Sequence, residues 1–156
     1  AMAGGAVHTL IVANSSAGQA TMTALRIETL ERYGWKEILA TSIPDPGRRE
    51  AALREMAESW ARQFDPNSMI VLRKAAIRFD AERDFRKIRA RVLYVLSRTD
   101  KLFPPSIAPA VMDRLAAAGV DAKYVEIDSE FGHSASGVDW ARWAPALREF
   151  LATLER

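Results

Sequence analysis

Two apolar runs in the chain have the character of strands. Residues 92–96, V-L-Y-V-L, are unbroken by polar positions and rich in β-branched and aromatic side chains. That pattern predicts a strand buried on both faces, as in a parallel sheet. Residues 9–13, T-L-I-V-A, predict a second buried strand. A third segment, residues 122–127 (A-K-Y-V-E-I), alternates and predicts a strand with one more polar face, nearer the sheet edge. Helical spacing dominates elsewhere. Residues 19–33 place Met22, Leu25, Ile27 and Leu30 among charged positions, and Gly34 supplies the stop. Residues 48–64 carry Leu53, Met56, Ala57, Trp60 and Phe64 at i, i+3, i+4 spacing. Further helices are predicted over residues 69–78, with Asn67 or Ser68 as cap, over 106–118, and over 140–154. Residues 35–43 fit a short helix or an extended segment, and Pro44-Asp45-Pro46-Gly47 breaks whatever precedes it.

The order of these elements decides the fold class. From residue 92 the chain runs strand, helix, strand, loop, helix, which argues for α/β with a mainly parallel sheet. Between the strands at 9–13 and 92–96 lies mostly helix, far more than a crossover of about a dozen residues needs. Residues 19–78 therefore read as a helical lid or cap inserted into the sheet. Residues 1–18 form its first strand and turn, and residues 79–156 the C-terminal α/β core.

Composition narrows the chemistry. A length of 156 residues supports one domain with a real core, and a net charge of +2 gives no argument for nucleic acid. Cysteine is absent, which excludes disulfides, thiolate catalysis and cysteine metal sites and suits a reducing cytoplasm. No apolar stretch approaches the roughly 20 residues of a membrane helix, and the N-terminus lacks signal-peptide character. Two separated histidines fall short of a zinc pattern, and no phosphate-cradling glycine loop is present.

The candidate chemistry lies just past two strand ends. Asp100 follows the strand at 92–96 in S-R-T-D-K-L-F-P-P, and His133 follows the strand at 122–127 in a loop over 128–137. Successive parallel strands are usually neighbours, so the two side chains can come within hydrogen-bond reach. A carboxylate on one imidazole nitrogen fixes the tautomer and frees the other nitrogen as a base. Ligands in open α/β sheets collect at the carboxyl ends of strands. Taken singly, Asp100 also suits a turn or cap, and His133 a solvated loop. His8, at the entry end of its strand, reads as structural, and Trp140 and Trp143 as packing residues.

T-D-K-L-F-P-P, then a helix, then Y-V-E-I-D-S-E-F-G-H resembles the C-terminal part of α/β-hydrolases, and among them most the homoserine O-acetyltransferase group. The resemblance covers residues 79–156 and, more loosely, 10–32. It implies the C-terminal half of an α/β-hydrolase fold, with Asp100 as triad acid and His133 as triad base. It implies acyl transfer or ester hydrolysis through a serine ester, on a small-molecule acyl donor and a hydroxylated acceptor. Acyl-CoA is the implied co-substrate, and no bound cofactor is called for. The helices over 19–78 would be the lid, which in that group also forms a dimer contact. Two departures are visible. The group's histidine is followed by an acidic residue, and here Ser134-Ala135-Ser136 follow. The group's G-x-S-M-G-G nucleophile elbow has no counterpart, since residues 2–5 echo only its tail. Asn14-Ser15-Ser16-Ala17-Gly18 has the elbow's shape with Asn leading, which makes Ser16 an internal nucleophile candidate as well as a turn or helix-cap residue.

Three readings follow. In the first, the chain is the Asp/His-bearing half of an acyltransferase or hydrolase whose nucleophile lies outside it, acting as a homo-oligomer or with a complementary N-terminal half. In the second, it is a non-catalytic module that self-associates through the lid helices. In the third, it is a small complete hydrolase using Ser16.

Overall fold

A computed structural model describes residues 16–154, with side chains from residue 18 onward. The expected strand at 9–13, His8 and residues 2–5 lie outside that range. Four helices come first: α1 (Ser16–Arg32), α2 (Trp35–Ala40), α3 (Pro46–Gln63) and α4 (Pro66–Arg78). The α/β part follows as β1 (Val92–Ser97), α5 (Ala108–Ala117), β2 (Ala122–Ile127), α6 (Ala135–Val138) and α7 (Ala144–Ala152). Short 3-10 segments lie at Glu82–Lys87, Pro105–Ile107, Gly132–Ser134 and Trp140–Arg142.

The starts of α3 and α4 share one device. Asp45 precedes Pro46 and accepts the Arg48 N–H at 2.7 Å. Asp65 precedes Pro66 and accepts the N–H groups of Asn67 and Ser68, each at 3.1 Å. Proline at the first helical position gives up a donor that has no partner there anyway, and it forces the preceding residue into the extended conformation that a cap requires. The cap of α4 is therefore Asp65, not Asn67 or Ser68. Pro44 to Gly47 contains a helix start as well as a break. Proline also divides the expected last helix. Pro145 lies in the first turn of α7, so residues 140–154 form a 3-10 turn followed by a shorter helix. Pro109 occupies the same place in α5.

α1 packs along α3, and their contact makes a core of Leu30, Leu53 and Ala57, covered by Ile27, Trp35, Leu39 and Met56. The helix begins at Ser16, so residues 16–18 are helical rather than a turn, and the expected boundary at residue 18 falls inside α1. α4 differs: it buries no residue, and Val71, Leu72 and Ile77 are exposed.

β1 and β2 pair in parallel, with Val92 opposite Ala122 and Ser97 opposite Ile127, and α5 makes the crossover. Among the described residues the sheet has these two strands. Its carboxyl end is the better buried, at Leu96, Ser97 and Ile127, because α6 and the Gly132–Ser134 turn pack over it. At the opposite end Arg91 ties the sheet to α7, bonding Asp121 at 2.5 Å and the Thr153 hydroxyl at 2.6 Å. No helix among the described residues is long and apolar enough to cross a membrane.

Candidate active site

The site is assembled where the two strands end. After β1 the chain turns tightly, with the Asp100 N–H donating to the Ser97 carbonyl at 3.0 Å. The Asp100 carboxylate divides its two oxygens. Oδ1 accepts the N–H groups of Leu102 at 2.7 Å and Phe103 at 2.9 Å, which curls the D-K-L-F segment around it. Oδ2 faces His133 Nδ1 at 2.8 Å. Asp100 is 7% exposed, so its carboxylate is buried but fully partnered. Asp100 thus shapes its own turn with one oxygen and meets the histidine with the other.

The histidine loop is braced from the aspartate loop. Thr99 Oγ1 donates to the Ser129 carbonyl at 2.8 Å and accepts the Gly132 N–H at 3.0 Å. Ser129, 2% exposed, accepts the Phe131 N–H through its own hydroxyl at 3.2 Å. Arg98 reaches across to Asp128 at 2.7 Å and to Glu130, and these two carboxylates push its pKa further up. Gly132 has φ +55, a left-handed conformation that suits glycine at the point where the chain turns into His133.

His133 lies between two aromatic rings, Tyr33 with centroids 4.9 Å apart and Phe103 at 5.4 Å. A cleft of about 360 Å³ opens beside it, lined by Tyr94, Ser97, Asp100, Phe103, His133 and Ser136 among others. Burial, and then the Asp100 charge, push the Tyr94 phenol up, so it stands in the cleft as a neutral hydroxyl. The Ser97 hydroxyl is buried at the cleft without a partner. A carboxylate can only accept, so against one Nδ1 is the donor, and a neutral imidazole then has its lone pair on Nε2. The arrangement can therefore take a proton from a hydroxyl presented to Nε2 and return it later.

The structure thus brings Asp100 and His133 together. Ser16 is the first residue of α1, and its side chain lies outside the described set. Sequence reasoning missed Tyr33, Thr99 and Phe103. Phe103 had a signal, being three residues past Asp100 in the same motif. The contact from Tyr33 depends on tertiary packing and had none.

The same architecture recurs in solved structures. Esterase E22 superimposes with a TM-score of 0.68 at 19% identity, over 88% of this chain and 44% of that one. Homoserine O-acetyltransferase from Bacillus anthracis superimposes with a TM-score of 0.64 at 19% identity, over 86% and 41%. The described residues form part of an α/β-hydrolase fold. In sequence the chain is similar to serine O-succinyltransferase of Stenotrophomonas maltophilia, 37% identical over 114 residues, and to homoserine O-acetyltransferase of Methanococcus vannielii, 29% identical over 109 residues. Those matches cover 67% and 66% of this chain but only 31% and 22% of the relatives' length. No family model matches the chain. The α/β-hydrolase architecture and the likeness to homoserine and serine O-acyltransferases agree with the expectation drawn from the D-K-L-F-P-P and E-F-G-H segments.

Proposed function

We propose that this chain is the acid- and base-bearing part of an acyltransferase or ester hydrolase working through a serine ester, with the nucleophilic serine supplied from outside this chain. The observation that carries the reading is the 2.8 Å contact between His133 Nδ1 and Asp100 Oδ2 at the ends of two adjacent parallel strands. His133 Nε2 takes the serine proton as the oxygen attacks the acyl carbonyl. It then gives that proton to the leaving group, and an acyl-serine remains. In the second half-reaction His133 deprotonates an acceptor hydroxyl, or water, and hands the proton back to the serine. Asp100 stays ionised and holds the imidazole in the working tautomer. The acyl donor is a small thioester such as acyl-CoA, and the acceptor a small hydroxylated metabolite or water. The helices α1 to α4 act as the lid over this site. The absence of cysteine suits a cytoplasmic location.

The test is intact mass of the purified material under denaturing conditions, with and without a fluorophosphonate probe. An adduct on a companion chain, lost when His133→Ala replaces the wild type, is the expected result. Replacing His133 should lower acyl transfer about 10²–10⁴-fold, the range for a general base. An adduct on Ser16 would overturn the placement of the nucleophile and favour the small complete hydrolase.

One observation favours a second role. Val71, Leu72, Ile77 and Phe79 are 60–78% exposed in and just after α4, an apolar face that suits self-association. A chain that runs as an oligomer on a sizing column and takes no adduct on any partner would be the non-catalytic module.

A further inference from the structure

The end of α1 is locked onto the histidine loop at a point that the proposed chemistry does not explain. Gly34, at the α1–α2 junction, is buried and has φ +84. A Cβ there would lie 2.3 Å from the Phe131 carbonyl oxygen and 2.7 Å from its carbon, both backbone atoms that cannot swing aside. The tight side is Gly34: a Cβ on Gly132 would lie 3.4 Å from the Gly34 Cα, an ordinary contact. The left-handed Gly34 therefore lets the helix end cross the histidine loop backbone to backbone. Beside the crossing, the Ser134 N–H donates to the Tyr33 carbonyl at 3.2 Å, one residue past His133. The Tyr33 ring lies against the imidazole at 4.9 Å and takes no part in lining the cleft, whereas Phe103 does. Residues on both sides of His133, and its ring, are thus held by one helix end.

From this we propose that Tyr33 and Gly34 are positioning residues for His133: the helix end of the lid sets the height and tilt of the imidazole over Asp100. The inference rests on the Asp100–His133 reading and deepens it. Asp100 fixes one nitrogen, but a single hydrogen bond leaves the ring free to rock about it. The Tyr33 ring removes that freedom from one side, and the glycine crossing sets the depth of the loop. Displacement of α1 would therefore misplace the base without touching the cleft.

Long-range proton–nitrogen NMR of the full chain tests this by reporting the His133 tautomer, with His133→Ala assigning its signals apart from those of His8. The wild type should show one tautomer, protonated at Nδ1. Gly34→Ala and Tyr33→Leu should each convert it to a mixture, with both His133 nitrogen signals moved and broadened. Tyr33→Phe keeps the ring and should restore the wild-type pattern. Asp45→Ala, which weakens only the first turn of α3, should leave the tautomer unchanged. If Gly34→Ala fails to fold, the Tyr33 pair carries the test alone. A wild-type Nδ1 tautomer that survives both variants overturns the clamp and leaves the Asp100–His133 pair standing. A wild type protonated at Nε2 overturns the pair, and the clamp with it.

Discussion

Leu30 and Leu53 are each 1% exposed and Ala57 is fully buried, whereas Val92, Leu93, Tyr94 and Val95, four apolar residues in succession, are only half-buried. The first group belongs to the contact between α1 and α3, the second to β1. Both sequences are apolar at their inward positions, so hydrophobicity does not separate them. Geometry does. Two amphipathic helices close a core between them by themselves. A parallel strand needs a neighbour on each edge and a layer on each face, and β1 has β2 along one edge. Where cover exists, at Leu96 and Ser97 beneath α6 and the Gly132–Ser134 turn, β1 is fully buried, and that is where Asp100 emerges. The best-packed part of the sheet is therefore the part that holds the candidate site.

The strongest test of this contrast pairs two leucines. Leu53→Ala should cost about 2–5 kcal/mol in urea unfolding, the range for a buried leucine whose neighbours cannot collapse. Leu93→Ala, from a half-open face, should cost less than half as much. Equal losses would mean that β1 is packed as tightly as the helices, and the comparison would fail. A smaller effect sharpens the helical side. Asp45→Ala should destabilise by about 1 kcal/mol, since the first turn of α3 loses its side-chain acceptor. Asp45→Asn, which keeps an acceptor, should recover most of that. The smallest effect is in acid. The Asn67 backbone N–H and then the Ser68 hydroxyl hold the Asp65 carboxyl below its ordinary value of 3.8. A group depressed in the folded state stabilises above its unfolded pKa, and that contribution fades as pH falls through the folded one. The difference in melting temperature between wild type and Asp65→Asn should therefore be constant above about pH 5 and shrink below pH 3.8.

Much of the α/β part was legible, and the reasons are local. The run V-L-Y-V-L specified β1 to within a residue, and the alternation of A-K-Y-V-E-I specified β2. The polar stop after each strand located Asp100 and His133, and the rule that successive parallel strands adjoin brought them together. Proline defeated the reading in several places. Asp-Pro at 45–46 and 65–66 has the local character of a break but starts a helix, and Ala-Pro at 144–145 sits in apolar spacing that suggests one continuous helix but begins a new one. At 45–46 and 65–66 proline's missing N–H suggests a stop, although the first turn of a helix has no use for that donor; at 144–145 continuous apolar spacing hides a helix start. The role of Gly34 was half-seen. It was legible as a helix stop, but its contact with Phe131 joins segments about a hundred residues apart, and no local pattern encodes that.

Asp100 illustrates how little room such a site leaves for inherited change. One oxygen holds the backbone of residues 102 and 103, and the other holds His133. Asparagine would keep the first bond through its carbonyl and turn its amide towards Nδ1. The imidazole would then carry its proton on Nε2, with no lone pair for an incoming hydroxyl. Glutamate, one methylene longer, could keep either set of bonds but not both at the same backbone position. Neither neighbour of aspartate in size or charge preserves both tasks, so a lineage that kept this arrangement would have to keep aspartate here or rebuild the turn and the base together.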